Sequence, residues 1–451
     1  MPNPSRYHAR VKNPTEIGPF KQILNSLGPG ILFAGAAIGV SHLVQATRAG
    51  AVYGLSLITL VLLAHALKLP ALLFGPRYAA ATRTSLLQGY RRQGKHALIA
   101  FAIITAGTMF TIQAAVTVVT AAIFRSVILA PMGAPAAPLW AVSLGILATC
   151  AGLIALGGFG WLDRALKVLM AALAIATLAA AALQAPSLAG SSLDLLPDIP
   201  TDPAGRVALI AFAVALVGWM PAPLDISVWH SLWTLAREKQ THHAPTRREC
   251  EIDFGVGYTL CVLLAICFVV LGAGAMHGSA VKLASSSGAF ATQLINLYTD
   301  SVGSWVRPVI SACAIAVMFS TTLTVFDALP RTVVVIIERW KSPETPTNPE
   351  INTRDLCRTR GYWFVLALLA VGALAIIAAV SGHGFRRLID IATTLSFLGT
   401  PIIAWFNHRA MFSAEITIQH RPSNWMRIWS IAGVIFWAAF AAVFLWSRLS
   451  I

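Results

Sequence analysis

The chain has 451 residues, of which 57% are hydrophobic and only 11% are charged, and its mean hydropathy is +0.72. So much apolar surface exceeds what the core of a water-soluble protein can bury, and the composition is typical of a chain embedded in a lipid bilayer. The net charge of +15 does not indicate nucleic-acid binding, because the basic residues lie between apolar segments and not on one water-exposed face. The six cysteines lack the paired spacing of a zinc site.

Long apolar segments recur along the chain, and each reaches the roughly 20 residues that a membrane-spanning helix needs. We therefore predict an all-α integral membrane protein with about eleven transmembrane helices. The predicted spans are 28–49, 53–80, 97–127, 137–158, 161–185, 205–235, 253–276, 306–337, 362–381, 386–411 and 426–447. The basic segment 1–27 is not followed by a signal-peptide pattern, so we expect it to be retained as an N-terminal tail.

The basic residues are distributed unevenly between the two sets of connecting segments. With the N-terminus inside, the inner segments carry 24 Lys and Arg residues and the outer segments carry seven. The positive-inside rule then predicts a cytoplasmic N-terminus and, with an odd number of spans, an external C-terminus. We expect a multi-pass protein of the plasma (inner) membrane.

Helix-breaking residues stand in the middle of spans one and six. Span one carries Gly39, Ser41 and His42 there, and span six carries Gly218 and the pair Pro221 and Pro223. A packing kink would explain either break alone, but paired breaks at corresponding positions of two five-helix halves are typical of an inverted-repeat transporter. The predicted units are the tail 1–27, a first repeat 28–185, an external loop 186–204, a second repeat 205–411, and 412–451 with the eleventh helix.

Several stretches resemble the NRAMP family of divalent-metal transporters, which share the LeuT-like inverted-repeat fold. They are GPGILFAGAAIG at residues 28–39, TRAGAVYGLSLI at 47–58, GPRYAAATRTSLLQGYRR at 75–92, the pair Met220–Pro221, and MFSTTLTVFDALPR at 318–331. The resemblance implies a secondary-active transporter that works by alternating access, with its site between the two broken helices.

The residues that the family uses to hold its metal are only partly present. The family has an Asp-Pro-Gly-Asn motif in span one, where this chain reads Ile38-Gly39-Val40-Ser41. Met220 is retained in span six, but Ala222 replaces the histidine that follows the family's Met-Pro pair. The resemblance therefore implies a transporter whose metal site lacks both the Asp and the Asn.

The cargo predicted from these departures is organic. A hard dication needs oxygen ligands, usually including a carboxylate, and a lone thioether does not replace them. The positive ends of two half-helices instead favour a small polar, anionic or zwitterionic solute such as an amino acid or an organic acid. The alternative is a proton-coupled divalent metal transporter, with Met220 and Asp225 as ligands. A channel fits two inverted breaks less well.

No enzyme, nucleotide or cofactor motif is found in the sequence. We expect no catalysis, no cofactor, no ATP and no nucleic acid, and partners limited to membrane lipid and a small solute or ion. The protein is expected to work as a monomer. Whether H⁺ or Na⁺ drives transport is left open by the sequence.

The candidate substrate-binding residues lie at the two breaks and in span eight: Gly39, Val40, Ser41, His42, Gly218, Trp219, Met220, Ala222 and Thr321. Packing or a hydrogen bond within the bundle is the competing interpretation of each. The coupling candidates are the ionisable residues His42, Asp225, His230 and Asp327. Asp225 must have a partner such as Lys68 or Arg48, be protonated, or face water, and Lys68 is otherwise expected to reach toward a membrane interface.

Overall fold

The computed structural model describes residues 28–134, 136–156, 160–188, 196–278, 284, 286–341, 355–380 and 384–449, and every regular element in these ranges is helical. The tail 1–27 and parts of the predicted loops lie outside the described residues. The helices, in chain order, are α1 Pro29–Ala37, α2 Ser41–Tyr53, α3 Ile58–Thr82, α4 Leu86–Gln93, α5 Lys95–Phe124, α6 Leu139–Leu156, α7 Gly160–Gln184, α8 Pro203–Gly218, α9 Ile226–Thr241, α10 Arg247–Met276, α11 Ser287–Val302, α12 Arg307–Lys341, α13 Arg360–Ala379, α14 Phe385–Met411 and α15 Asn424–Leu449.

The predicted spans correspond to these helices within a few residues. In the described part of the chain, nine helices are long and apolar enough to cross a membrane, and the bent pair α1 and α2 makes a tenth span. Predicted span six corresponds to α8 and α9, of which α8 is apolar but only 16 residues long. The all-helical membrane architecture is thus confirmed, whereas the count of eleven and the placement of the termini stay predictions.

Span one is divided where the sequence places Gly39. Helix α1 ends at Ala37, the chain turns by 43°, and α2 starts at Ser41 as a π-helical turn. The Ser41 hydroxyl donates to the Ala37 carbonyl at 2.7 Å, and this local bond satisfies part of the backbone that the break exposes. A side chain at Gly39 would meet Thr321 of α12 at 3.0 Å, so α12 packs directly on the break.

Span six is divided by prolines. Asp202 caps the start of α8 by accepting from the Gly205 N–H, and the helix stops at Gly218, shortly before Pro221 and Pro223. Proline has no N–H to continue the helical ladder, so the chain resumes helix only at Ile226. The segment 219–225 is the break in span six.

Helix α10 lies along both halves of span one. A Cβ added at Gly257 would sit 2.1 Å from the Gly30 carbonyl of α1, and one at Gly50 of α2 would sit 2.0 Å from the Val269 carbonyl. Backbones approach this closely only where side chains are missing. Between these two contacts, His42 Nε2 is 3.0 Å from the Cys261 carbonyl of α10. Helix α10 therefore bridges the break in span one.

Two helices are additional to the predicted spans. Helix α4 lies between predicted spans two and three, and α11 lies between predicted spans seven and eight. Both contain polar residues among the apolar ones and neither qualifies as a membrane span. They surround the bundle without changing the order of the spans.

Candidate functional site

A small cavity lies where the two breaks face each other. Helices α5 and α12 complete its wall. The lining residues are Ala36, Ala37, Val40 and Ser41 from span one, Trp219, Pro223, Ile226 and Trp229 from span six, Ile112 and Val116 from α5, and Thr321 and Val325 from α12. Of the predicted substrate-binding residues, Val40, Ser41, Trp219 and Thr321 thus share one cavity.

The cavity is narrow. Its volume open to the centres of water molecules is about 20 Å³, which is room for about one water. Its wall is mostly apolar, and among the described residues that line it none is a carboxylate. A solute larger than a water molecule requires the cavity to widen.

The two hydroxyls of the cavity are already bonded to backbone. Ser41 Oγ donates to Ala37 or to His42, and Thr321 Oγ1 is 2.8 Å from the Gly35 carbonyl and 3.0 Å from the Val317 carbonyl. The bond from Thr321 to the Gly35 carbonyl holds α1, the first half of span one, against α12. Both oxygens keep a lone pair for a solute that donates a hydrogen bond.

The wall of the cavity includes Trp229, whose polar group is the indole N–H. The residue is 2% exposed, and its indole N–H has no hydrogen-bond partner among the described residues. By contrast, the indole N–H of Trp219 donates to Ser396 Oγ at 2.8 Å. A buried donor without an acceptor costs free energy, and a bound solute with an acceptor oxygen would remove that cost. Trp229 is not among the site residues predicted from the sequence, although it lies only four residues after Asp225 in the second half of span six.

Five of the predicted substrate-binding residues lie beside the cavity and not in its wall. His42 faces α10, where its Nε2 is 3.0 Å from the Cys261 carbonyl, and its Nδ1 is 2.7 Å from Ser41 Oγ. Met220 and Ala222 are buried outside the lining set. Gly218 is required by packing, because a Cβ there would sit 2.1 Å from the Thr393 carbonyl of α14. Gly39 touches Thr321 in the same way.

Asp225 lies at the start of α9 and is 4% exposed, and its Oδ2 has no hydrogen-bond partner among the described residues. Lys68 of α3 attracts it across the break, but Lys68 itself is bonded to carbonyl oxygens. Arg48 does not serve Asp225, since it pairs with Asp390 of α14 at 2.6 Å. The expectation that Lys68 reaches an interface is wrong, because its side chain is fully buried and its ammonium finds its partners inside the bundle.

His230 belongs to an aromatic layer below the cavity, which consists of Phe33, His230, Phe254 and Tyr258. The ring of His230 lies 5.8 Å from Phe33 and 5.9 Å from Phe254, and neither of its nitrogens has a hydrogen-bond partner among the described residues. Along α1, α9 and α10 this aromatic layer separates the cavity from a second pocket near Pro29, Thr234 and Asp253. The layer closes the way from the cavity to that end of the bundle.

Asp327 lies outside this arrangement. It follows Thr321 by six residues on α12, or about 9 Å along the helix axis. Its carboxylate accepts from Arg331 Nε at 2.7 Å and from the Tyr362 hydroxyl at 2.6 Å. One oxygen joins α12 to α13 and the other pairs with Arg331 within α12, and Asp327 does not line the cavity.

The half-helices of span one are also closed at their far ends. Arg48 of α2 pairs with Asp390 at one end. At the other end, the carboxylate of Asp253 accepts from the backbone N–H groups of Gly28 and Gly30 at 2.9 and 2.6 Å. A carboxylate at a helix N-terminus is favoured by the exposed N–H groups and the helix dipole. These contacts tie α2 to α14 and α1 to α10.

Solved structures with this arrangement are transporters. A crystal structure of a single-residue variant of the Eremococcus coleocola manganese transporter matches 96% of this chain and 88% of its own, with a TM-score of 0.66 and 14% identity. The transporter MhsT, solved in complex with L-phenylalanine, matches 94% of this chain and 97% of its own, with a TM-score of 0.58 and 15% identity. These likenesses show that the chain has the LeuT-like fold.

Comparison of the sequence with known families and proteins identifies the family of this chain. Residues 30–447 match the family described as natural resistance-associated macrophage protein-like. An uncharacterized protein of Pasteurella multocida is 31% identical over 422 residues, which cover 93% of this chain and 92% of that protein. The chain belongs to the Nramp family.

Proposed function

We propose that this Nramp-family transporter carries a small organic solute with an anionic or zwitterionic group by secondary-active, alternating-access transport. The observation that carries the proposal is the donor set of the cavity. In its described wall, one donor has no hydrogen-bond partner among the described residues, the indole N–H of Trp229; the hydroxyls of Ser41 and Thr321 already donate to neighbouring groups, and there is no carboxylate. Such a wall suits an acceptor group on a partly apolar solute.

The fold does not decide the cargo. It is shared by a protein named as a manganese transporter and by one solved with L-phenylalanine. The side chains at the break therefore carry the argument. Ile38 stands where the family has its Asp, and Met220, the family's retained thioether, is not part of the cavity wall. A dication would find too few oxygen ligands there.

One observation favours the divalent-metal alternative. Asp225 is buried in the break of span six, five residues after Met220, and one of its oxygens has no hydrogen-bond partner among the described residues. However, the described residues contain no group of three or more His, Cys, Asp or Glu side chains that could hold a metal ion together. The thioether and one carboxylate leave most of a coordination shell empty.

The four coupling candidates differ in what they are free to do. His42 and Asp327 spend their polar atoms on neighbouring helices. Asp225 and His230 are buried with polar atoms that have no partner among the described residues. We therefore favour Asp225 and His230 as the groups that exchange a proton during the transport cycle.

The experiment is counterflow in proteoliposomes. Vesicles loaded with an unlabelled amino acid or organic acid are tested for uptake of the same labelled compound, and parallel vesicles are tested for uptake of Mn²⁺. Saturable counterflow of an organic compound without Mn²⁺ uptake supports the proposal. Mn²⁺ uptake that Asp225→Asn abolishes, with no organic compound transported, establishes the metal alternative.

A further inference from the structure

The break in span six surrounds a buried ammonium group. Lys68 of α3 is 0% exposed, and its Nζ donates to the carbonyl oxygens of Val217, Gly218 and Ala222 at 2.6, 2.9 and 3.3 Å. An ammonium has three hydrogens to donate and accepts none, so the three carbonyls satisfy it completely. The contact joins span two to the break of span six.

These carbonyls are available because the helix stops there. The last carbonyl groups of a helix have no intrahelical partner, and they form the negative end of its dipole. Val217 and Gly218 close α8, and Ala222 lies in the non-helical segment that follows. In transporters built from inverted repeats, such half-helix ends and unwound carbonyls coordinate the coupling cation.

The other groups around Lys68 also favour a positive charge. Asp225 attracts it from the start of α9, and the ring of Trp437 from α15 lies 5.6 Å from Nζ. His65, one turn earlier on α3, is the further titratable group that faces it. The Lys68 side chain makes no contact with solvent.

We propose that the break in span six is a cation site whose permanent occupant is the Lys68 ammonium, so that no free Na⁺ or metal ion binds these carbonyls. The inference deepens the proposed function, on which it rests, by assigning the cation at this break to the chain itself. The ammonium acts as a positioning residue, because it fixes the carbonyls of the break and does not line the cavity.

The test measures the thermal unfolding temperature of the purified full-length protein in detergent, which requires no knowledge of the cargo. The wild-type protein is compared in NaCl, KCl and choline chloride at equal ionic strength, and its Tm is expected to be the same in all three. Lys68→Met keeps the bulk of the chain but removes the charge, and we expect its Tm to fall by about 5 °C or more.

Lys68→Ala opens the space that the butylammonium side chain fills. Propylammonium chloride or NaCl is expected to raise its Tm, since a ligand that binds only the folded state stabilises it. Lys68→Met is the matched control, because the methionine fills the space and neither salt should help.

Three results would overturn the proposal: an unchanged Tm in Lys68→Met, equal salt responses in the Ala and Met variants, or an Na⁺-dependent rise in the wild type. If neither variant can be purified, the wild-type comparison decides alone. Counterflow that identifies a different cargo would contradict the proposed function but leave these Tm results unaffected.

Discussion

Arg48 donates two hydrogen bonds to the carboxylate of Asp390, at 2.6 and 3.2 Å, and joins the second half of span one to span ten. Gln45 supports the pair by accepting from Arg48 and donating to Asp390. Arg48 also lies over the ring of Phe212 in α8, 5.2 Å from its centroid. One guanidinium thus links α2, α8 and α14, and we expect α2 and α14 to stay together while the pair exists.

Arg48→Met is expected to loosen this contact. The variant keeps an unbranched side chain but leaves Asp390 without its partner, which favours separation of α2 from α14. The measurement is the labelling rate of Ser41→Cys by a membrane-impermeant maleimide, corrected for labelling of the native cysteines. We expect a several-fold faster rate with Arg48→Met. Arg83→Met, which breaks the 2.8 Å pair with Glu238, is the control and should not change the rate.

Asp253→Asn is expected to loosen the opposite end of span one. The amide keeps the size of the side chain but removes the charge that faces the first N–H groups of α1, at a cost of about 1 kcal/mol. Thermal unfolding of the purified variant measures the loss. Asp202→Asn, at the cap of α8, provides a matched change at an exposed helix start. If only Asp253→Asn speeds labelling of Ser41→Cys, the closing role of this contact is supported.

Trp229→Phe tests the donor in the cavity wall. The substitution removes the indole N–H, for which the described part of the chain provides no partner, so the stability of the folded state should not fall through a broken hydrogen bond. Affinity for a carboxylate-bearing solute is expected to fall about tenfold. Titration of the transported solute against intrinsic fluorescence or Tm measures the change. Trp437→Phe also removes a buried, unpartnered indole N–H, but outside the cavity, and should leave affinity as it is.

Gly50→Ala tests the close contact between span one and α10. The added Cβ would lie 2.0 Å from the Val269 carbonyl, so the two backbones must separate, and we expect a loss of about 2 kcal/mol or more. Gly145→Ala in α6 is the matched control, since nothing lies within 4 Å of its added Cβ. There the better helix propensity of alanine should leave Tm unchanged or slightly raised. Equal Tm values for the two variants would contradict the close contact.

The spans could be predicted because a bilayer imposes a length and an apolar composition that a sequence displays directly. The breaks could also be predicted, because Gly39 and the pair Pro221 and Pro223 interrupt long apolar runs. Helices α4 and α11 could not, since short helices with mixed polarity lack that signal. The division of the chain into two repeats at 28–185 and 205–411 stays a prediction.

The contents of the cavity were harder to predict than its location. Ser41, Trp219 and Thr321 lie in its wall as expected, whereas His42 faces α10 and Met220 lies outside the wall. The face that a residue presents depends on how the half-helices rotate after each break, and the rotation is decided by packing against other helices. The partners of Lys68 could not be predicted either, because a lysine in an apolar segment does not indicate that its ammonium will bond to three backbone carbonyls.

The contact of α10 with both halves of span one has a mechanical consequence. Where a helix carries side chains, neighbours can slide past one another by changing rotamers, but at Gly30 and Gly257, and again at Gly50, backbone touches backbone. Contacts between two backbones resist the sliding of one helix along the other, and they separate only when the whole contact opens. Tilting α1 by itself would require the backbone contact at Gly257 to open while the contact at Gly50 stays closed. Helix α10 is thus held against both halves of span one, and a transport cycle that moves one of them must also move the other.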